Sequence, residues 1–375
     1  MAVYYALGDA IVTEDELREK QVLGNIASFA RSLHEARAGA MLEFSTGRLT
    51  MENIRKSILL PTGEPTPFHE VGPGKPLTIE IRHVYTGKYP KGGVFDDTKD
   101  MLVTSAMKSI ATFNAAPRAI NFLARDVRKG YNVTTPAATE KGTPLIHYTP
   151  ALTEKNTILT LELGFDEFPD ELFEITGNAL RKAAGIPLFV SANTYLLAAG
   201  AITRLLGKIG SKVFDNAPVF KGTEQLSFVR PGDVPPQADF RIITDDNGCE
   251  DMFNEYRVDD SGQLVDSHGH HYDGDTPYIV ISLDGRKNDE YTSFSSTAAS
   301  AVMLERFYNI REGQEHGIEL LTEAVKLYND WTFRKKADKL ANELKALEQG
   351  SVEYTKKKAD YDAVAANILE DLLKP

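Results

Sequence analysis

Residues 77 to 85 read LTIEIRHVY, and the fold assignment turns on them. Leu77, Ile79, Ile81 and the less apolar His83 alternate with polar positions, the two-residue period of a strand with one buried face. Similar short runs follow at Leu145 to Tyr148, Ile158 to Phe165, Leu226 to Val229, Phe240 to Ile243, Tyr256 to Val258, Leu264 to Val265 and Tyr278 to Leu283. Asp260-Ser261-Gly262 supplies turn chemistry between two of them, so residues 256 to 265 are expected to form a hairpin. Several short strands punctuated by turns predict a β-sandwich-like or mixed sheet.

Two helices are expected to interrupt this β-rich region. Pro169 is a good first-turn residue for a helix over 169 to 184. In 192 to 214, Tyr195, Ala198, Ala199, Ile202, Leu205, Leu206, Ile209 and Val213 recur at three- and four-residue steps, with Arg204, Lys208 and Lys212 on another face. The class is therefore α+β, with a central domain over 77 to 296.

Working upstream, residues 61 to 76 read PTGEPTPFHEVGPGKP. Proline fixes φ and removes donors while glycine frees the backbone, so a linker is expected there. An N-terminal unit over 1 to 60 precedes it. Val3 to Val12 reads as a strand, and Thr13 with Glu16 forms a capping box. Val22, Ile26, Phe29 and Leu33 mark a helix over 14 to 37, and Ile54 and Ile58 a shorter one over 51 to 59.

Downstream, residues 297 to 375 read as helical. Phe333, Leu340, Leu347, Tyr354, Tyr361 and Ile368 recur every seven residues, which is a heptad seam. Gly350-Ser351 breaks it in the middle, so two helices folding back as a hairpin are expected. These six residues are the candidate partner-binding set, because a seam of this length usually finds a partner surface.

Composition bounds the function classes. The 375 residues are 42% hydrophobic and 26% charged, an ordinary globular balance. With 42 basic against 54 acidic residues the net charge is −12, which repels nucleic acid and anionic lipid. Cys249 is the single cysteine, which excludes an intramolecular disulfide and fits a reducing compartment. No basic and apolar leader opens the chain, so the expected address is the cytoplasm.

Two clusters suit metal chemistry. Asp266 to Asp275 contains His268, His270, His271 and Asp273, so three of the eight histidines lie within four residues. His268, His270 and Asp273 are similar to the metallohydrolase loops in which imidazoles grip an ion that activates water. Zinc or another divalent ion suits that loop, and a solvated polar loop is the simpler reading. Asp96, Asp97 and Asp100, with Asp245 and Asp246, offer the hard oxygens that calcium takes. Strand, aspartate loop and strand is similar, at the level of fold alone, to the calcium-lipid sandwich domains called C2. Gly207-Lys208-Ile209-Gly210 is similar to the backbone-binding loop of KH domains, but the flanking strands such a domain needs are absent and nucleic acid is not expected. Neither a nucleophile elbow nor a dinucleotide fingerprint occurs.

The leading expectation is a non-catalytic binding or assembly protein, pairing with a protein partner or a second copy through its C-terminal helices. One alternative is a metal-dependent hydrolase using His268, His270 and Asp273. Another is a protein that acts on membranes under a trigger through the amphipathic helix 192 to 214.

Overall fold

The computed structural model describes residues 2–7, 10–13, 68–91, 98–108, 118–134, 141–183, 185–191, 195–198, 201–205, 207–214, 217–228, 240–244, 255–307 and 315–375. The helices expected at 14 to 37 and 51 to 59 lie outside the described residues, as do Asp96, Asp97, Asp245 and Asp246.

The first sheet has seven strands. β1 (Ala2–Leu7) and β2 (Ala10–Thr13) form its edge hairpin, so the single N-terminal strand expected from the sequence is in fact two. The order continues through β13 (Phe240–Thr244) and β16 (Tyr278–Asp284) to β3 (Leu77–Tyr85). β6 (Asn132–Thr134) and β7 (Leu145–Thr149) pair with opposite ends of β3. The second sheet runs β11 (Ala201–Arg204), β10 (Tyr195–Ala198), β9 (Leu188–Ser191), β5 (Arg118–Val127), β4 (Lys99–Lys108), β8 (Asn156–Asp166) and β12 (Phe220–Ser227). Every pairing is antiparallel.

The sheets pack face to face over one core. Leu77, Ile79, Ile81 and Ile281 from the first meet Met101, Val103, Leu161 and Phe220 from the second. Their apolar faces leave water together, at roughly 25 cal/mol per Å² of apolar surface. The mixed antiparallel sheets and the helices below make the class α+β.

β3 departs from simple alternation. Ile281 pairs with Ile81 but Val280 with His83, so Arg82 is an extra residue on this strand. Such a bulge reverses which face each later side chain meets. Val84, not His83, therefore joins the central core. His83 instead lies against Tyr278, with ring centroids 5.5 Å apart, on the outer face of the sheet. Tyr4, Tyr85, Tyr272 and Tyr278 cluster there beneath the hairpin of β14 (Tyr256–Val258) and β15 (Leu264–Asp266), the pair expected from Asp260-Ser261-Gly262.

The outer face of the second sheet is covered by helices. α1 (Asp170–Lys182) lies within the span expected, with Asp170 and Glu171 in its first turn and Arg181 and Lys182 in its last, as the helix dipole favours. The helix expected over 192 to 214 is corrected. β10 and β11 occupy its first half, and only α2 (Gly207–Phe214) is helical. Leu196, Leu197 and Ala198 of β10 are consecutive and all buried, so these three residues show no polar face. A short apolar run fits a covered strand as well as a helix by period alone, and here pairing with β9 decides it.

The C-terminal region is helical as expected: α3 (Phe294–Phe307), α4 (Glu315–Leu344) and α5 (Val352–Ala366). α4 and α5 pack as a hairpin, and Lys357 bonds Glu343 across it at 2.6 Å. Gly350 turns the chain at φ +89°, a conformation that costs a Cβ-bearing residue free energy. Ser351 then caps α5 by accepting the Tyr354 N–H at 3.1 Å. Part of the expected linker is packed instead: Val71 is in the central core, and Gly74 lies against Ala359 and Ala363 of α5.

Candidate functional site

The His-rich loop is a turn built around one carboxylate. Asp266 Oδ1 accepts the His268 and His270 backbone N–H groups, both at 2.8 Å, and Oδ2 lies 3.1 Å from His270 Nδ1. Those donors, the His270 amide first, hold the Asp266 carboxyl below its usual range. His268, His270, His271 and Asp273 are exposed. No group of three or more His, Cys, Asp or Glu side chains among the described residues is placed to hold a metal ion. The loop thus closes the end of β15, and no ligand from elsewhere in the described fold joins it. Asp100 has a comparable structural task. Its Oδ1 accepts the Asp126 N–H at 3.2 Å and its Oδ2 the Phe168 N–H at 3.1 Å.

The span read as a membrane-binding helix is otherwise employed. Leu205, Ile209 and Val213 are buried against the second sheet, and Lys212 Nζ lies 3.1 Å from Asp166. No helix among the described residues is long and apolar enough to cross a membrane.

The heptad residues sit on the intramolecular hairpin. Ile368 is buried, while Phe333, Leu340, Leu347, Tyr354 and Tyr361 are half-buried. Asp330, fully buried in α4, fixes the chain beyond α5. Its Oδ2 accepts the Leu369 and Glu370 N–H groups at 3.2 and 2.8 Å. Asp330→Ala is expected to cost about 2 kcal/mol, since two half-buried backbone donors lose their acceptor. Chemical denaturation of wild type and variant measures it.

Opposite the inner face of α4 runs an apolar stripe absent from the heptad set. Leu320, Leu327 and Trp331 are 57, 46 and 50% exposed, with Tyr328 beside them. Spacings of seven and four place these residues on one side of a helix. Lys335 Nζ lies 5.3 Å from the Trp331 ring centre. The surrounding polar residues leave this as the largest concentration of exposed apolar side chains in the described fold. Trp331 is the only tryptophan in the sequence, and together with the helical spacing it was a signal available there.

The inner side of α4 closes a cavity of about 50 Å³. Its sheet wall is Ser105 and Met107 of β4, Ala119 of β5, His147 and Thr149 of β7, and Phe189 of β9. Phe294, Ser295 and Ala298 of α3, Asn329 and Phe333 of α4, and Asn367 form the helical wall, with Thr153 and Glu154 from the β7–β8 loop. The His147 ring meets Phe294 edge to face at 5.3 Å. Burial pushes the His147 imidazole down to about 4, against an opposing pull from the Glu154 charge, so it is neutral near pH 7. The sequence did not single out this set, because its members come from seven separated segments.

Neither a protein-family sequence model nor any curated protein matches this chain.

Proposed function

We propose that the protein is a non-catalytic binding or assembly module that engages a protein partner, or a second copy of itself, through the outer face of α4. The observation that carries this reading is the stripe of Leu320, Leu327 and Trp331, half or nearly half exposed on one helix side. Contiguous exposed apolar side chains mark interaction surfaces, and tryptophan is enriched among the residues that dominate binding energy. The packing of α4 against α5, joined by the Lys357–Glu343 pair, supports the same reading indirectly, because a rigid helix presents its outer face at little entropic cost.

Trp331 is its own reporter, since no other tryptophan contributes to the emission. Sedimentation across protein concentration, with mass analysis of any co-purifying chain, tests the proposal. Association is expected, together with a blue shift of the Trp331 emission. The double variant Leu327→Ser/Trp331→Ala is expected to lose association while keeping the wild-type circular dichroism and melting curve. A strict monomer with no bound chain and solvent-like emission at every concentration sinks it.

A further inference from the structure

We propose that the cleft between β5 and α1 binds the phosphate monoester of a small organic molecule. The cleft encloses about 480 Å³, within the range of small-molecule sites. Leu123 and Arg125 of β5 face Phe173, Thr176 and Arg181 of α1 across it, with Tyr131 and Lys141 from the segments before β6 and β7. The Leu123 N–H donates to the Lys141 carbonyl at 3.0 Å, which fixes the Lys141 backbone beside β5, two residues from Arg125.

The lining reverses the charge of the chain. Its cationic members are Arg125, Lys141 and Arg181, and Glu174 is its one carboxylate, in a protein of net charge −12. Asp170 pairs with Arg125 from outside the lining, which still leaves three positive groups against two negative among the described residues. Such a local field favours an anion. Arg125 is held in place for one. Its guanidinium lies 4.0 Å from the centre of the Phe173 ring, and Nη1 bonds Asp170. A guanidinium carries five N–H donors in a planar fork, so a phosphate can be bonded alongside Asp170.

Thr176 is a second and independent pointer. It is 1% exposed, it lies on the lining, and its Oγ1 is buried without a hydrogen-bond partner. Buried hydroxyls are ordinarily satisfied by protein, water or ligand. A phosphate monoester has three terminal oxygens and about two negative charges, so it uses this hydroxyl and the cations together more fully than a carboxylate does. Leu123, Tyr131 and Phe173 offer apolar surface to the organic part of the guest.

No residue of α4 lines this cleft, so it and the proposed contact stripe can fail separately. Calorimetric titration of the full-length protein with phenyl phosphate, in a phosphate-free buffer at fixed ionic strength, tests the proposal. Saturable binding is expected. Affinity is expected to fall about tenfold in Arg125→Met and about threefold in Thr176→Val, both checked for a wild-type melting curve. Phenol and inorganic phosphate, each lacking one half of the probe, are expected to bind at least tenfold more weakly. Absence of saturable binding through the millimolar range overturns the proposal, as does binding that neither variant changes. Equal affinity for phenol removes the role of the charge, and equal affinity for inorganic phosphate removes the organic guest; either result also overturns it.

Discussion

Arg241→Ala is expected to cost about 3–5 kcal/mol of stability, the largest single-residue effect at any ion pair in the described fold. Arg241 on β13 and Glu224 on β12 are each only 4% exposed at the side chain, and their atoms meet at 2.5 Å. Each points into the layer between the sheets, as Ile243 and Phe220 two and four residues away do. Tyr5 donates to the same Glu224 oxygen at 3.4 Å, and the Arg241 guanidinium lies 5.0 Å from the Tyr5 ring centre. Removing the arginine leaves a carboxylate stranded in low dielectric, with Oε2 already lacking a hydrogen-bond partner. Glu224→Gln/Arg241→Met, which removes both charges while roughly keeping volume, is expected to recover most of the loss. Urea denaturation of the two single variants and the double variant measures the coupling. A change under about 1 kcal/mol in Arg241→Ala would place this pair with solvent-screened surface bridges instead.

Acidification is expected to remove roughly 3 kcal/mol of stability through His83 alone. Burial pushes the His83 imidazole from its ordinary 6.5 down to about 4. Nδ1 lies 2.9 Å from Thr134 Oγ1, and Nε2 is enclosed without a hydrogen-bond partner. Between those two pH values the unfolded chain binds a proton that the folded chain refuses. The contribution is therefore fully present above pH 6.5, falls away as pH drops through the window, and is gone below about pH 4. His147, shifted the same way, adds to the slope. His83→Leu is expected to flatten the dependence of the unfolding midpoint on pH between 6.5 and 4. Parallel curves for wild type and variant would sink this assignment.

How far the sequence reveals this molecule depends on which physical signal each segment carries. β3, β8, β13 and β16 are legible because β-branched and aromatic residues concentrate in short runs bounded by turns. β4 and β5 are not. Leu102, Val103, Thr104 and Ser105 are buried in succession, because one face meets the central core and helices cover the other. A strand covered on both sides loses the alternation that announces it. The same run of buried residues, Leu196 to Ala198, disguised β10 as part of a helix.

The C-terminal hairpin was legible, since a period of seven and a Gly-Ser break are local features. What lies on either side of α4 was only half so. Trp331 and its helical neighbours are visible as a pattern once the heptad is set aside. The cavity set of Ser105, His147, Glu154 and Asn329 becomes a set only through pairing of strands far apart in the chain. The histidines at 268 to 271 show the converse. Their density suggests chemistry, but the Asp266 carboxylate spends its lone pairs on the backbone of its own turn.

The bulge at Arg82 makes β3 a ribbon shared by two interiors, one aliphatic and one phenolic. Ile79 and Ile81 serve the first, Val84 returns to it, and His83 and Tyr85 are released to the second. Strands that do this tolerate a changed letter far better than a changed length. Replacing half-buried Arg82 alters a rim, whereas deleting it would turn the last three residues of β3 inside out. An imidazole would then enter the aliphatic layer, and a valine would meet the tyrosines.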